Sequence, residues 1–173
     1  MHETMRLEET PPRGMRRHSA ALAFDVNALE AELALLIDRY GVPVGAEITD
    51  LRGKYGDQCG DRIRVSRYIA DTRNALDTLR HEYAHAVADR KHGSKDGHGR
   101  LWKKLAAEMG ARPSSRGRGM LVNVPLREPQ CLRCRRRYLP LARVPRRARC
   151  PGCGHRKITW TAIVGVRFQH SKP

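Results

Sequence analysis

The segment HEYAHAVADRKHGSKDGHGRLWKKLAAEMG, residues 81–110, reads as the end of one helix, a glycine-punctuated reversal and a second helix. Leu76, Leu79, Tyr83, Ala86 and Val87 recur at helical spacing and mark an apolar stripe. The expected helix opens near Asp71–Asn74, runs to about His92 and stops at Gly93. At 3.6 residues per turn, His81 and His85 project from one face, one turn apart, roughly opposite that stripe. The core therefore takes the other side, and the imidazoles are expected to face a cleft or solvent. Glu82 lies between the two faces. H-E-x-x-H on a helix pairs two histidines that can chelate one metal ion with a carboxylate that can act as base toward water.

A catalytic zinc needs a third protein ligand and an open fourth position. His92 shares the face of His85 but lies about 10 Å further along the axis, which is too far. The metzincin continuation fails, because Ala88 and Lys91 stand where Gly and His are required. His98 remains, if the Gly93 and Gly97 turns fold the chain back. It is expected on the first turn of a third helix, roughly His98 to Met109, sharing a face with Leu101, Trp102 and Leu105 and closed by Gly110. Glu108 is the runner-up ligand, or else a surface acid.

Working outward, Asn27 with Glu30 has the form of a capping box, opening a helix that ends before Gly41. Its core stripe is Leu29, Leu33, Leu36 and Tyr40. Glu47–Lys54 and Arg62–Ser66 read as short strands around a YGDQCG turn. Residues 1–24, with Pro11–Pro12 and Arg13, Arg16 and Arg17, read as a flexible arm or a solvated tail. The stretch ARPSSRGRG lacks periodicity and marks the domain boundary. The expected organisation is a 1–24 arm, a 25–111 core, a 112–119 linker and a 120–173 β-rich module. In that module Ile158, Trp160, Ala162, Val164 and Val166 alternate as one apolar strand face.

The longest apolar runs among the 173 residues are five long, which excludes a membrane-spanning helix. An apolar share of 40% argues against wholesale disorder. The charged start, MHETMRLEET, has no apolar h-region, so a secretory signal is not expected. The expected location is cytoplasmic, or nucleoid-associated in a prokaryote, with no membrane partner.

The net charge of +16 is unevenly distributed. Residues 112–173 hold sixteen Lys/Arg and one acid, Glu128, whereas the first 111 residues are nearly balanced. Arginine makes up 27 of the 34 basic residues; codon bias would explain Arg in place of Lys but not the missing acids. A nucleic-acid partner is the expectation, DNA favoured.

Cys131-x2-Cys134-x15-Cys150-x2-Cys153 has zinc-ribbon spacing. Pro151, Gly152 and Gly154 suit the second knuckle's tight turn. A four-thiolate site is closed, so this zinc is expected to be structural, stabilising a module too short and polar to build a large core. The rivals, disulfides and a thioredoxin-like redox pair, lack an export signal and a βαβ context respectively. Between the knuckles lie Arg133, Arg135, Arg136, Arg137, Arg143, Arg146, Arg147 and Arg149, candidates for phosphate contact. Tyr138 and Phe168 either stack on bases or belong to the ribbon core; Trp160 reads as core. The fifth cysteine, Cys59, is a turn thiol or a regulatory one.

Segment 81–110, with the upstream YGDQCGDRIRVS, resembles the SprT-like metalloproteases, which include the Spartan DNA–protein crosslink proteases. The matching positions are His81, Glu82, His85, His98, Trp102 and Lys103, and the likeness runs from about Asn27 to Val166. The resemblance implies an α+β protein: a small helical, zincin-like HExxH core with a short β-hairpin or sheet, then a β-rich zinc ribbon. It implies one catalytic zinc on His81, His85 and His98, with Glu82 as general base, and one structural zinc. The expected activity is zinc-dependent cleavage of DNA-bound or DNA-crosslinked proteins. The alternatives are a regulatory protease of the ImmA/IrrE type, which a Glu108 ligand would favour, and a non-catalytic nucleic-acid-binding ribbon protein.

Overall fold

The computed structural model describes residues 8–9, 21–114 and 119–169. The arginines of the expected arm, Arg13, Arg16 and Arg17, and residues 115–118 of the expected linker lie outside the described residues, as does the Phe168 side chain. The chain is mixed α+β, with three helices and two small sheets among the described residues. It divides into two units, one of residues up to Leu121 and from Phe168 on, the other Val122–Arg167.

In the first unit the order is β1 (Glu8–Glu9), α1 (Val26–Tyr40), β2 (Gly45–Thr49), β3 (Gly56–Cys59), β4 (Arg62–Ser66), α2 (Thr72–His92) and α3 (Arg100–Glu108). The four strands form one sheet in the order β1-β2-β4-β3. Strand β2 runs parallel to both β1 and β4, with Gly45 opposite Arg62 and Thr49 opposite Ser66. Strand β3 is antiparallel to β4 and forms one edge.

Three expectations shift. Helix α1 is capped by Asp25, not Asn27: the Asp25 carboxylate accepts from the Asn27 and Ala28 N–H groups. Strand β2 ends at Thr49, because the chain then curls back, Leu51 N–H donating to the Thr49 carbonyl. YGDQCG is not a turn; its middle is β3, and the reversal sits at Gly60–Asp61, with Gly60 at φ 58°. The residue types suggested a turn, but pairing to β4 overrides that local preference.

Helix α2 matches its expected limits. Asp71 caps it through the Asn74 N–H, and Gly93, at φ 62°, ends it. Gly93 and Ser94 donate to the carbonyls of Asp89 and Ala88, which closes the last turn. The helix packs against α1, α3, β3 and β4. It is therefore buried on more than its apolar stripe: Thr78, Glu82 and Ala84 are buried too. Tyr83 has no exposed surface, and its hydroxyl lies 3.0 Å from the carbonyl oxygens of Leu36 and Val42, joining α2 to the end of α1.

In the second unit, β5 (Gly119–Cys131) and β6 (Ile158–Gln169), each of which begins or ends beyond it, form a two-stranded sheet. The expected β6 alternation holds for Ile158 and Trp160, both half-buried, and then changes phase. Val164 and Val166 are exposed, while Ile163 and Gly165 turn inward. Gly165 supplies the reason: a Cβ there would meet the Leu126 side chain at 2.8 Å, so glycine lets Leu126 lie against the strand.

Candidate metal centres

Helix α2 projects His81 and His85 from one face, and His98 reaches them from the loop between α2 and α3. His98 is not on the first turn of α3: it precedes the N-cap, Gly99. Gly97, at φ 55°, supplies the left-handed step that turns the chain back. The Nε2 atom of His98 lies 3.1 Å from those of both His81 and His85. A neutral imidazole carries one ring proton, so Nε2 of His98 can satisfy at most one of these contacts as a donor. A cation between the three lone pairs removes the conflict. Tetrahedral zinc with Zn–N near 2.05 Å would space its ligand nitrogens by about 3.3 Å, close to what is found.

Burial pushes the His81 and His85 imidazoles down to about 4, helped by the neighbouring rings, and His98 is lowered in the same direction by burial and Lys103. All three are therefore neutral at pH 7 and have lone pairs to offer. Trp102 lies against the cluster, with 1% of its surface exposed. His92 and Glu108 are both exposed and outside the cluster, and Glu108 faces Lys104 at 3.9 Å.

Glu82, only 8% exposed, sits beside the histidines under strand β3. Burial pushes its carboxyl up to about 7, the Asp57 charge adds to the rise, and Lys54 and the Gln58 backbone N–H oppose it. Asp57 is held in place by Arg64, through bonds of 2.6 and 2.7 Å, and by Lys54. Strand and helix come this close because residue 56 is glycine. A Cβ there would meet Thr78 Cγ2 at 2.7 Å, the Arg64 carbonyl at 2.8 Å and Glu82 Cγ at 3.2 Å. A carboxyl titrating near neutral pH is suited to taking and returning a proton.

In the second unit, Cys131, Cys134, Cys150 and Cys153 converge. The Cys131–Cys153 and Cys134–Cys150 sulfurs are 3.6 and 3.5 Å apart. That is far beyond a disulfide bond and close to the roughly 3.8 Å between thiolates on tetrahedral zinc. Both knuckles turn through a left-handed residue, Gly154 at φ 69° and Arg135 at φ 60°. Tyr138 Oη lies 2.9 Å from Cys150 Sγ and accepts the Gly152 N–H at 3.2 Å. This contact draws the Cys150 thiol down to about 6 and raises the phenol to about 12, the directions expected of a phenol that donates to a thiolate. The hydroxyl of Tyr138 is thus committed to the cluster. The eight arginines between the knuckles are all exposed, Arg137 lying 3.8 Å from Glu128. Cys59 is exposed and a member of neither cluster.

Both donor sets fit zinc, three neutral imidazoles in one and four thiols in the other. Sequence reasoning had not singled out Gly56, the Gln58 N–H or the Tyr138–Cys150 bond. Gly56, the first of the two glycines in YGDQCG, was the one available signal, and it reads equally well as part of a turn. Among the described residues no helix is long and apolar enough to cross a membrane.

No curated protein and no solved structure matches the chain. The SprT-like family model matches residues 42–123. That stretch holds the whole histidine cluster, Glu82 and strand β3, so the chain is similar to the SprT-like family, a family of metalloproteases, over the part that carries the histidine site.

Proposed function

We propose that this protein is a zinc-dependent endopeptidase that docks on nucleic acid through its cysteine ribbon and cleaves proteins bound or crosslinked to DNA. The carrying observation is the 3.1 Å convergence of His81, His85 and His98 beside a buried glutamate, within the family-matched stretch. His81, His85 and His98 would hold the catalytic ion and the four cysteines a structural one. Zinc supplies Lewis acidity, making water nucleophilic near neutral pH and polarising a peptide carbonyl.

The chain's own residues do the rest. Glu82 accepts the proton of the attacking water on a carboxylate oxygen and delivers it to the leaving amine nitrogen. The Gln58 backbone N–H favours the charged form of that carboxylate. In the ribbon, eight exposed guanidiniums form a surface suited to phosphates. With Tyr138 committed to Cys150, contact with the sugar–phosphate backbone is favoured over base stacking. Docking raises the effective concentration of protein substrates on the same nucleic acid, so weak peptide specificity suffices.

The test is cleavage of a histone-like substrate by metal-loaded protein, with and without DNA. DNA should stimulate the parent. Glu82→Gln should retain its zinc but lose hydrolysis by roughly two orders of magnitude or more. Parent-like cleavage by zinc-replete Glu82→Gln would remove Glu82 as the base. Nucleic-acid affinity indifferent to salt would remove the docking role.

A further inference from the structure

We infer that Trp102 is the positioning residue of the histidine cluster, a single buried indole that holds three rings supplied by two separate segments. The inference rests on the metalloprotease reading and concerns how the metal site is kept in shape.

The geometry of the indole is specific. Its ring lies 4.6 Å from that of His81 and 4.4 Å from that of His98, edge-on to both at 63° and 86°. It stacks on His85 at 5.1 Å and 23°. Its Nε1–H donates to the His81 carbonyl at 3.3 Å. Trp102 thus touches the two imidazoles of α2 and the one on the returning loop, and bonds to the α2 backbone as well.

Such a wall is needed because each imidazole swings about two side-chain torsions, and ligation requires three Nε2 atoms to point at one place. The usual restraint on a ligating histidine is a polar partner on its other ring nitrogen. Among the described residues, the polar side-chain contacts of these rings are the mutual Nε2 approaches. Orientation therefore falls to packing, and Trp102 is the residue that packs on all three. Its place two residues into α3 also explains how His98, four residues earlier, is returned to α2: seating the indole under His81 and His85 anchors the loop end.

The test uses full-length, zinc-loaded protein with Trp160→Phe as the background, so that Trp102 is its sole tryptophan. Cobalt or copper titrated into the histidine site, after a chelator has removed the zinc from it, should quench Trp102 emission, and His81→Ala should abolish the quenching. Trp102→Ala should weaken zinc binding at the histidine site by roughly ten- to a hundredfold in chelator competition, leaving the ribbon zinc unchanged. Trp102→Phe, which keeps a ring but loses the N–H, should fall between Trp102→Ala and the parent, and carries the test if Trp102→Ala does not fold. Histidine-site affinity in a folded Trp102→Ala or Trp102→Phe equal to the parent would overturn the inference. Loss of no metal in His81→Ala and His85→Ala would instead overturn the metalloprotease reading beneath it.

Discussion

Gly56→Ala tests how strand β3 and helix α2 jointly build the surroundings of Glu82, the proposed general base. In an ordinary strand this substitution would stabilise the protein by about 0.4–1 kcal/mol, because alanine leaves the unfolded chain fewer conformations. Gly56 is not in a left-handed conformation, so no backbone strain opposes the change. Space does. The new methyl would lie 2.7 Å from Thr78 Cγ2 and 2.8 Å from the Arg64 carbonyl, and the second contact is with backbone, which cannot swing aside. Restoring van der Waals separation requires β3 to move by roughly 0.7 Å, and such overpacking costs typically about 1–3 kcal/mol. The clash outweighs the entropy gain, giving a net loss of roughly 0.5–2 kcal/mol. The same movement draws the Gln58 N–H away from Glu82. A hydrogen bond to a charged group contributes about 1.5–3 kcal/mol, so turnover should fall roughly ten- to a hundredfold at unchanged zinc content. Urea unfolding, zinc analysis and substrate cleavage measure the three quantities. A Gly56→Ala protein with an unshifted urea midpoint and parent turnover would refute the close-packing argument.

Further outcomes are expected. Tyr138→Phe removes the donor to Cys150 and should speed chelator-driven zinc loss from the ribbon, with affinity down roughly tenfold; parent-like retention would contradict that role. Arg135→Gly relieves a left-handed residue, a conformation costing about 1–2 kcal/mol without glycine, so ribbon stability should hold or rise. The same variant should bind DNA more weakly, with the salt slope reduced by about 1; unchanged affinity and slope would take Arg135 out of the interface. Acid should affect the histidine site late. Burial depresses all three imidazoles, His81 and His85 to about 4, so protons compete with metal only well below the ordinary histidine range. Affinity should fall most steeply as the pH approaches 4, where His81 and His85 take up protons; a decline centred near 6.5 would contradict the burial argument.

Legibility in the sequence followed the range of the interactions involved. Helix α2 was readable to within a residue or two at each end because Asp71 and Gly93 act on their own neighbours. The cysteine spacing was readable because each knuckle is a local turn. Strand β3 was misread, since what makes GDQC a strand is β4, to which it pairs, and nothing in its residue types announces that. The cap of α1 shifted by two residues because two capping side chains, Asp25 and Asn27, stood close together and only the backbone path chose between them.

By itself the sequence determined the ligand inventory: two histidines one helical turn apart, a third beyond two glycines, and two cysteine pairs. Periodicity, turn chemistry and spacing act over a few bonds, and a one-dimensional reading captures such short-range constraints. Tertiary structure alone decided that His98 meets the other two at 3.1 Å, that Trp102 walls all three, and that Gly56 brings β3 down on Glu82. Those contacts join segments whose approach is set by packing of the whole core. The burial that follows from it raises Glu82 and lowers the histidines, giving a common pattern of residues the protonation states that the proposed metal-binding and proton-transfer roles require.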